Sequence, residues 1–271
     1  MPQQAKSNKR RKIMLIASHT DIGMKRKVNQ DAHVTKKYSK KTCLCVVCDG
    51  MGGAKGGEEA SRIASSTFLA YMDEFLAPYI GNKNKSLRSP EIKKALLTAL
   101  DLANDAVYRY SRSHMGMKGM GTTIVATLVI DKTIFALNVG DSRVYFLKGS
   151  KIKQITKDHS YVQYLIDNGQ ITEEEAMNSS HKNIITRAVG TEREVEGDVY
   201  KESVTEGTFI LLCSDGLANF VDSATMCDIV SNDYNARTID EIGLNVRVRK
   251  LVDTANANGG SDNITAVLVK L

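Results

Sequence analysis

The chain has 271 residues, 42% hydrophobic and 25% charged, a balance suited to one large globular domain or two small ones. Its formal charge is +6, and five of the positives (Lys6, Lys9, Arg10, Arg11 and Lys12) crowd into one stretch near the N-terminus. With three prolines, no Trp and no apolar run near the roughly 18 residues of a membrane span, collagen-like, low-complexity and membrane-spanning classes are excluded.

In chain order, residues 1–12 read as a basic, disordered, solvated tail. The charge would suit nucleic acid or an anionic membrane, but no aromatic residue interleaves with it. The apolar stretch behind it, Ile13 to Ala17, is too short for a signal peptide. IMLIAS (13–18) predicts a strand, TDIGMKRKVNQDAHVT a loop leading into a second, and KTCLCVVC (41–48) a third after the KYSKK turn. From Gly57 the spacing turns helical through EEASRIASSTFLAYMDEFL. Ser89-Pro90-Glu91 opens a second helix, with Ile92, Ala95, Leu96, Ala99, Leu100, Ala103, Ala106, Val107 and Tyr110 on one face.

MGMKGMG (115–121) predicts a flexible loop. TTIVATLVI, KTIFALNV, SRVYFLK and KIKQIT then form an antiparallel meander, the first of them apolar enough to be buried on both faces. Residues 160–187 read as a surface excursion with a short helical signal near EEEAMNSS. TFILLC returns to strand, helical patterns cover 223–232 and 237–256, and NITAVLVKL closes as a strand. Many strands without βαβ alternation predict an α+β fold of antiparallel sheets covered by helices.

Five cysteines, an odd number, argue against a disulfide framework and for a reducing, cytoplasmic setting. Cys45 and Cys48 have half-zinc-site spacing, but no second pair completes four ligands, so both are expected to be buried strand residues.

One pattern recurs. Asp49 ends a strand in VVCDG, Asp141 joins two in VGDS, Asp215 ends another in LLCSDG, Asp262 opens the last in GSDN, and Asp31 precedes a strand in NQDAH. Each alone is an ordinary turn residue. Together, projecting from sheet rims, they would make an all-oxygen cluster that repels itself unless a cation neutralises it, and oxygen donors favour Mg²⁺ or Mn²⁺. Five glycines between Gly50 and Gly57 would let a carbonyl approach such an ion. The spacing matches neither GxGxxG nor GxxxxGK[ST], which excludes both nucleotide cradles.

RKVNQDA, VVCDGMGG, MGTT, NVGDSRVY, KDHS, LLCSDGL and GGSDNITAVLV match, in order, the motifs of the type 2C metal-dependent protein serine/threonine phosphatases. The chain resembles the compact bacterial members from about residue 14 to the end. The resemblance implies a four-layer α-β-β-α sandwich with metals in a cleft at one end, as a single catalytic domain over 13–271. It implies that Asp49 bridges two metal ions (Mn²⁺ or Mg²⁺) and that the Gly50 carbonyl binds one of them. It further implies that Asp215 and Asp262 complete the first site, that Asp31 holds the second ion through water, and that Asp141 serves a third, weaker ion. Arg26 aligns with the arginine that grips the substrate phosphate, a bidentate task its flanking Lys25 and Lys27 cannot share. Met51 stands where many eukaryotic members have His, which leaves the proton donor to the leaving group unnamed, a metal-bound water on the Asp141 ion being the candidate. Gln30 stands where many carry Glu. His159 is expected to support the cleft, with proton transfer as the alternative role, and 160–187 to form a flap over it.

The implied activity is hydrolysis of phosphoserine and phosphothreonine in proteins by in-line attack of an activated water, without a phosphoenzyme, opposing a serine/threonine kinase. A monomer is expected, with no specific nucleic acid. The rival readings are a catalytically dead phosphoprotein binder, disfavoured by the complete acid set, and a nucleic-acid-binding protein, for which no module is present.

Overall fold

The computed structural model describes residues 14–82, 86–232 and 238–271. The basic tail lies outside them, as does Ile13 of the first predicted strand. Among the described residues, eleven strands pair antiparallel throughout. They are β1 (Leu15–Asp21), β2 (Asp31–Lys37), β3 (Thr42–Met51), β4 (Gly121–Thr122), β5 (Ile124–Ile130), β6 (Thr133–Val139), β7 (Arg143–Lys148), β8 (Lys151–Gln154), β9 (Asp198–Ser203), β10 (Phe209–Cys213) and β11 (Ile264–Lys270). One sheet runs β1-β11-β10-β7-β8, the other β2-β3-β5-β6-β9, with β4 beside β3.

Period-2 alternation divides the apolar strand residues between two layers. From β3, Cys43, Cys45 and Val47 meet Val267 and Val269 of β11 between the sheets. Leu44, Val46 and Cys48 face the helices α1 (Gly53–Leu76) and α2 (Ser89–Ser113) with Phe68, Met72 and Leu96. On the far side, Leu211 and Leu268 pack under α6 (Ser223–Val230) and α7 (Glu241–Ala257). These three cores separate four layers, as expected from the resemblance. Because Cys45 and Cys48 face opposite layers, they cannot share a zinc ion, and all five cysteines are buried and free.

Several boundaries differ from expectation. α1 begins at Gly53, four residues before the predicted start, because the glycines lie in its first turn. Gly57 packs there on the strand end, where a Cβ would stand 2.7 Å from the Gly50 carbonyl carbon, and one on Gly50 would meet the Gly57 oxygen at 2.1 Å. On the predicted apolar face of α2, Ala106 and Tyr110 are only half-buried, while polar Asn104 is buried. Asn104 Oδ1 accepts from the Gly190 amide and its Nδ2 donates to the carbonyls of Glu192 and Arg193. β9, a polar edge strand (DVYKES), was not foreseen. Nor was the helix α3 (Tyr161–Asp167) ahead of α4 (Glu173–Met177) in the 160–187 excursion, or the single turn α5 (Asp215–Ala218).

Candidate metal centre

Antiparallel pairing brings strand ends from distant sequence to one rim. The β2–β3 register sets Asp31 directly opposite Asp49, and the Gly50 amide donates to the Gln30 carbonyl at 3.1 Å. β10 delivers Asp215 through Ser214, whose hydroxyl donates to Asp31 Oδ2 at 2.8 Å and accepts from the Thr265 amide at 3.0 Å. Asp262 enters from the turn before β11, and Asp141 from the β6–β7 loop.

A cleft of about 510 Å³ is lined by Arg26, Asp49, Gly50, Asp141, Asp215 and Asp262, with Lys27, Thr123, Asn183 and Ile185 beside them. Five of the seven residues named from sequence meet as an acid-and-backbone wall with Arg26 at its edge. Asp31 sits behind them, bonded through Ser214 rather than lining the cleft.

The electrostatics follow from crowding. Burial, then Asp31 and Asp215, holds the Asp49 carboxyl well above the ordinary carboxylate range. Burial pushes Asp31 up to about 7 and Asp141 up to about 8, with Asp215 adding repulsion in both cases. Asp215 is raised by burial and then by Asp262. Asp31 Oδ1 and Asp215 Oδ1 are buried without a hydrogen-bond donor. Buried acceptors left without a donor are costly, and a hard cation answers both the missing partners and the excess negative charge. The donor set therefore fits a divalent ion. Among the described residues, however, no three acids are already drawn up as a finished cage. Arg26 holds one of the carboxylates such a cage would use, donating from Nη2 to Asp262 Oδ2 at 2.7 Å. The other Asp262 oxygen accepts from the Asn263 amide at 2.8 Å.

Sequence reasoning missed the supporting shell, although its members sit inside the quoted motifs. Thr123 of MGTT accepts from the Asp49 amide at 2.9 Å and bonds Ser142 of GDSR at 2.8 Å, and Thr122 Oγ1 donates to the Asp49 carbonyl at 2.8 Å. Asn263 of SDNIT accepts from the Gln30 amide and donates to the carbonyls of Ile22 and Val28, which ties down the loop bearing Arg26. Gln30 Nε2 donates to the Gly53 carbonyl at 2.7 Å, so its amide is spent on the start of α1. His159 lies outside the cleft. Its backbone amide donates to the Gly140 carbonyl at 2.9 Å, and its Nδ1 accepts from the Gly140 amide at 3.3 Å. Its Nε2 faces Asp198 at 3.2 Å.

The sequence model of the family described as Protein phosphatase 2C matches residues 20–265. The serine/threonine phosphatase Stp of Listeria innocua is 36% identical over 93% of this chain and 93% of its own length. Among solved structures, serine/threonine phosphatase Stp1 from Staphylococcus aureus superposes with a TM-score of 0.80 at 31% identity, covering 96% of this chain and 95% of that one. The catalytic domain of the phosphatase PstP, in complex with two manganese ions, gives a TM-score of 0.77 at 30% identity, covering 95% of this chain and 98% of that one. Strand ends that gather acids at one rim, and relatives matched along nearly the whole chain, lead to one conclusion: the chain belongs to the protein phosphatase 2C family of metal-dependent serine/threonine phosphatases.

Proposed function

We propose that the cleft hydrolyses phosphoserine and phosphothreonine in protein substrates by direct in-line attack of water on phosphorus, with no phosphoenzyme. The observation that carries this reading is the pair of buried, donorless oxygens on Asp31 and Asp215 within a set of mutually repelling carboxylates. Asp49, Asp215, Asp262 and the Gly50 carbonyl would hold one divalent ion. Asp49 with Asp31 would hold a second, and Asp141 with Asp215 a weaker third, Mn²⁺ or Mg²⁺ in each case. Such ions, when bound, lower the pKa of water and neutralise phosphate oxygens.

The chain's own groups do the positioning. Arg26, half-exposed at the mouth, is placed to turn its fork from Asp262 to two phosphate oxygens of an incoming substrate, and that exchange frees Asp262 Oδ2 to act as a ligand. Thr122 and Thr123 hold the Asp49 backbone, which keeps its carboxylate aimed into the cleft while charge develops on the phosphoryl group. Asn183 and Ile185, from the 160–187 excursion, line the same cleft and support its reading as a flap over the substrate. Met51 lines the cleft and cannot donate a proton, so a water serves the leaving alkoxide. A monomer in the cytoplasm, working against a cognate serine/threonine kinase, completes the proposal.

Purified protein should release phosphate from a phosphothreonine peptide and from p-nitrophenyl phosphate only with Mn²⁺ or Mg²⁺, and chelation should abolish both reactions. Turnover that survives exhaustive chelation would overturn the metal assignment. Trapping of a ³²P-labelled enzyme on quenching would overturn direct attack by water.

A further inference from the structure

The strands that carry acids at one end carry lysines at the other. β3 leads from the Lys40-Lys41 turn to Asp49, and β6 from Lys132 to Asp141. β7 returns from beside Asp141 to Lys148, with Lys151 across the next turn. Hydrogen bonds show that these turns share one pole, although they cap two different sheets. The Met14 amide, at the start of β1, donates to the Lys40 carbonyl at 3.4 Å, and Lys37 Nζ donates to the Met14 carbonyl. The loop 204–208 links the remaining turns: the Val204 amide donates to the Lys132 carbonyl at 2.8 Å, and Lys148 Nζ donates to Thr205 Oγ1 at 2.8 Å.

Lys36, Lys37, Lys40, Lys41, Lys132, Lys148 and Lys151 are all exposed there. Lys36 pairs with Asp73 and Lys41 with Asp131, whereas Lys40, Lys132 and Lys151 have no acidic partner among the described residues.

From this placement we infer that the basic pole is a docking surface for an anionic lipid bilayer, which holds the enzyme peripherally with its cleft turned away from the membrane. Charge complementarity selects the partner. Lysines on the tips of several turns present compact point charges over a broad end of the molecule, which suits a field of lipid headgroups. Nucleic acid is the poorer fit: the first 13 residues contain no aromatic, and Tyr38 donates its hydroxyl to Asp73 and packs on the core instead of standing out to stack a base. None of the exposed large hydrophobics lies on these turns, and no helix among the described residues is long and apolar enough to cross a membrane. Attachment is therefore electrostatic and reversible. The connecting strands are six to ten residues long, which sets the cleft roughly 20–30 Å from the lipid, within reach of a phosphorylated segment of another protein.

The test is co-sedimentation of the full-length protein with vesicles, in chelator so that catalysis plays no part. Phosphatidylcholine vesicles containing about 30 mol% phosphatidylserine should bind the protein, and pure phosphatidylcholine should not. Raising salt from roughly 0.05 M to 0.5 M should release it. The combined substitution Lys40→Glu, Lys132→Glu and Lys151→Glu, with the tail intact, should weaken binding at least ~10-fold. The same variant should leave Mn²⁺-dependent p-nitrophenyl phosphate hydrolysis unchanged, because these turns lie at the far end of the strands. A Lys→Gln version of the three substitutions, expected to lose less binding, serves if the charge reversal impairs folding. Equal binding to neutral vesicles, undiminished binding by both variants, or capture by a single-stranded RNA in preference to the anionic vesicles would each overturn the inference. Loss of phosphatase activity in the unsubstituted protein would count against the proposed function and leave this one standing.

Discussion

Asp49 is where the chemistry and the cost of the site meet. Its carboxylate sits among Asp31, Asp141, Asp215 and Asp262, and burial with mutual repulsion raises its pKa. Asp49→Asn keeps the shape and removes the charge. We expect at least a ~10³-fold loss of kcat with Mn²⁺ present, together with a higher melting temperature in chelator, because one repelling charge is gone. Both are read from a phosphate-release assay and a thermal melt, and an unchanged or lower metal-free melting temperature would mean that repulsion does not strain the site. Arg26→Ala should raise KM for a phosphopeptide more than it lowers kcat, and equal KM values would remove Arg26 from substrate binding. Asp49, Asp141, Asp215 and Asp262 were legible because each stands beside Gly, Ser or Asn at one end of an apolar run, whereas Asp31, between Gln30 and Ala32, showed only as the residue ahead of a strand. Thr123, Ser214 and Asn263 were not, since a hydroxyl or amide that bonds a backbone 50 or more residues away leaves no local pattern.

Among the elements, the seat of α1 on the end of β3 is the tightest fit near the site. Gly57→Ala would press a methyl group against the Gly50 carbonyl and the Gln30 side chain, at 2.7 and 2.9 Å. We expect a stability loss of about 2–4 kcal/mol, measured by denaturant unfolding, with weaker Mn²⁺ binding because Gly50 must move. The glycines looked from sequence like room for a metal-bound carbonyl; the structure adds that they let helix and strand touch. Strands with apolar runs were readable for the usual reason, burial on both faces. β9 escaped because an edge strand needs an apolar stripe on one side only, and Asp-Val-Tyr-Lys-Glu-Ser shows little of that pattern. His159 belongs at this scale too. With its ring between Gly140 and Asp198, His159→Ala should loosen the Asp141 loop and lower stability by about 1–3 kcal/mol.

Across the whole molecule, gathering buried acids at one end makes stability depend on pH and metal in a definite direction. Asp31 and Asp141 titrate near 7 and 8 in the folded chain, against about 4 when unfolded. The folded state therefore holds protons that the unfolded state has released, so metal-free stability is full below about pH 4 for these groups and falls as pH climbs through 7 to 8. Melting temperature in chelator should drop between pH 5 and pH 8, and added Mn²⁺ should restore most of it at pH 8 but little at pH 5. A chelated protein that gains stability over that interval would contradict the crowding argument.

The facing of Asp31 and Asp49 across the β2–β3 ladder has one more consequence. Strand side chains alternate, so inserting a single residue in the Ser39–Lys41 turn and letting the hairpin slide by one would rotate Asp31 to the opposite face while Asp49 stayed put. A slip of one residue at that distant turn should therefore abolish turnover, which makes a remote hairpin tip the keeper of catalytic alignment.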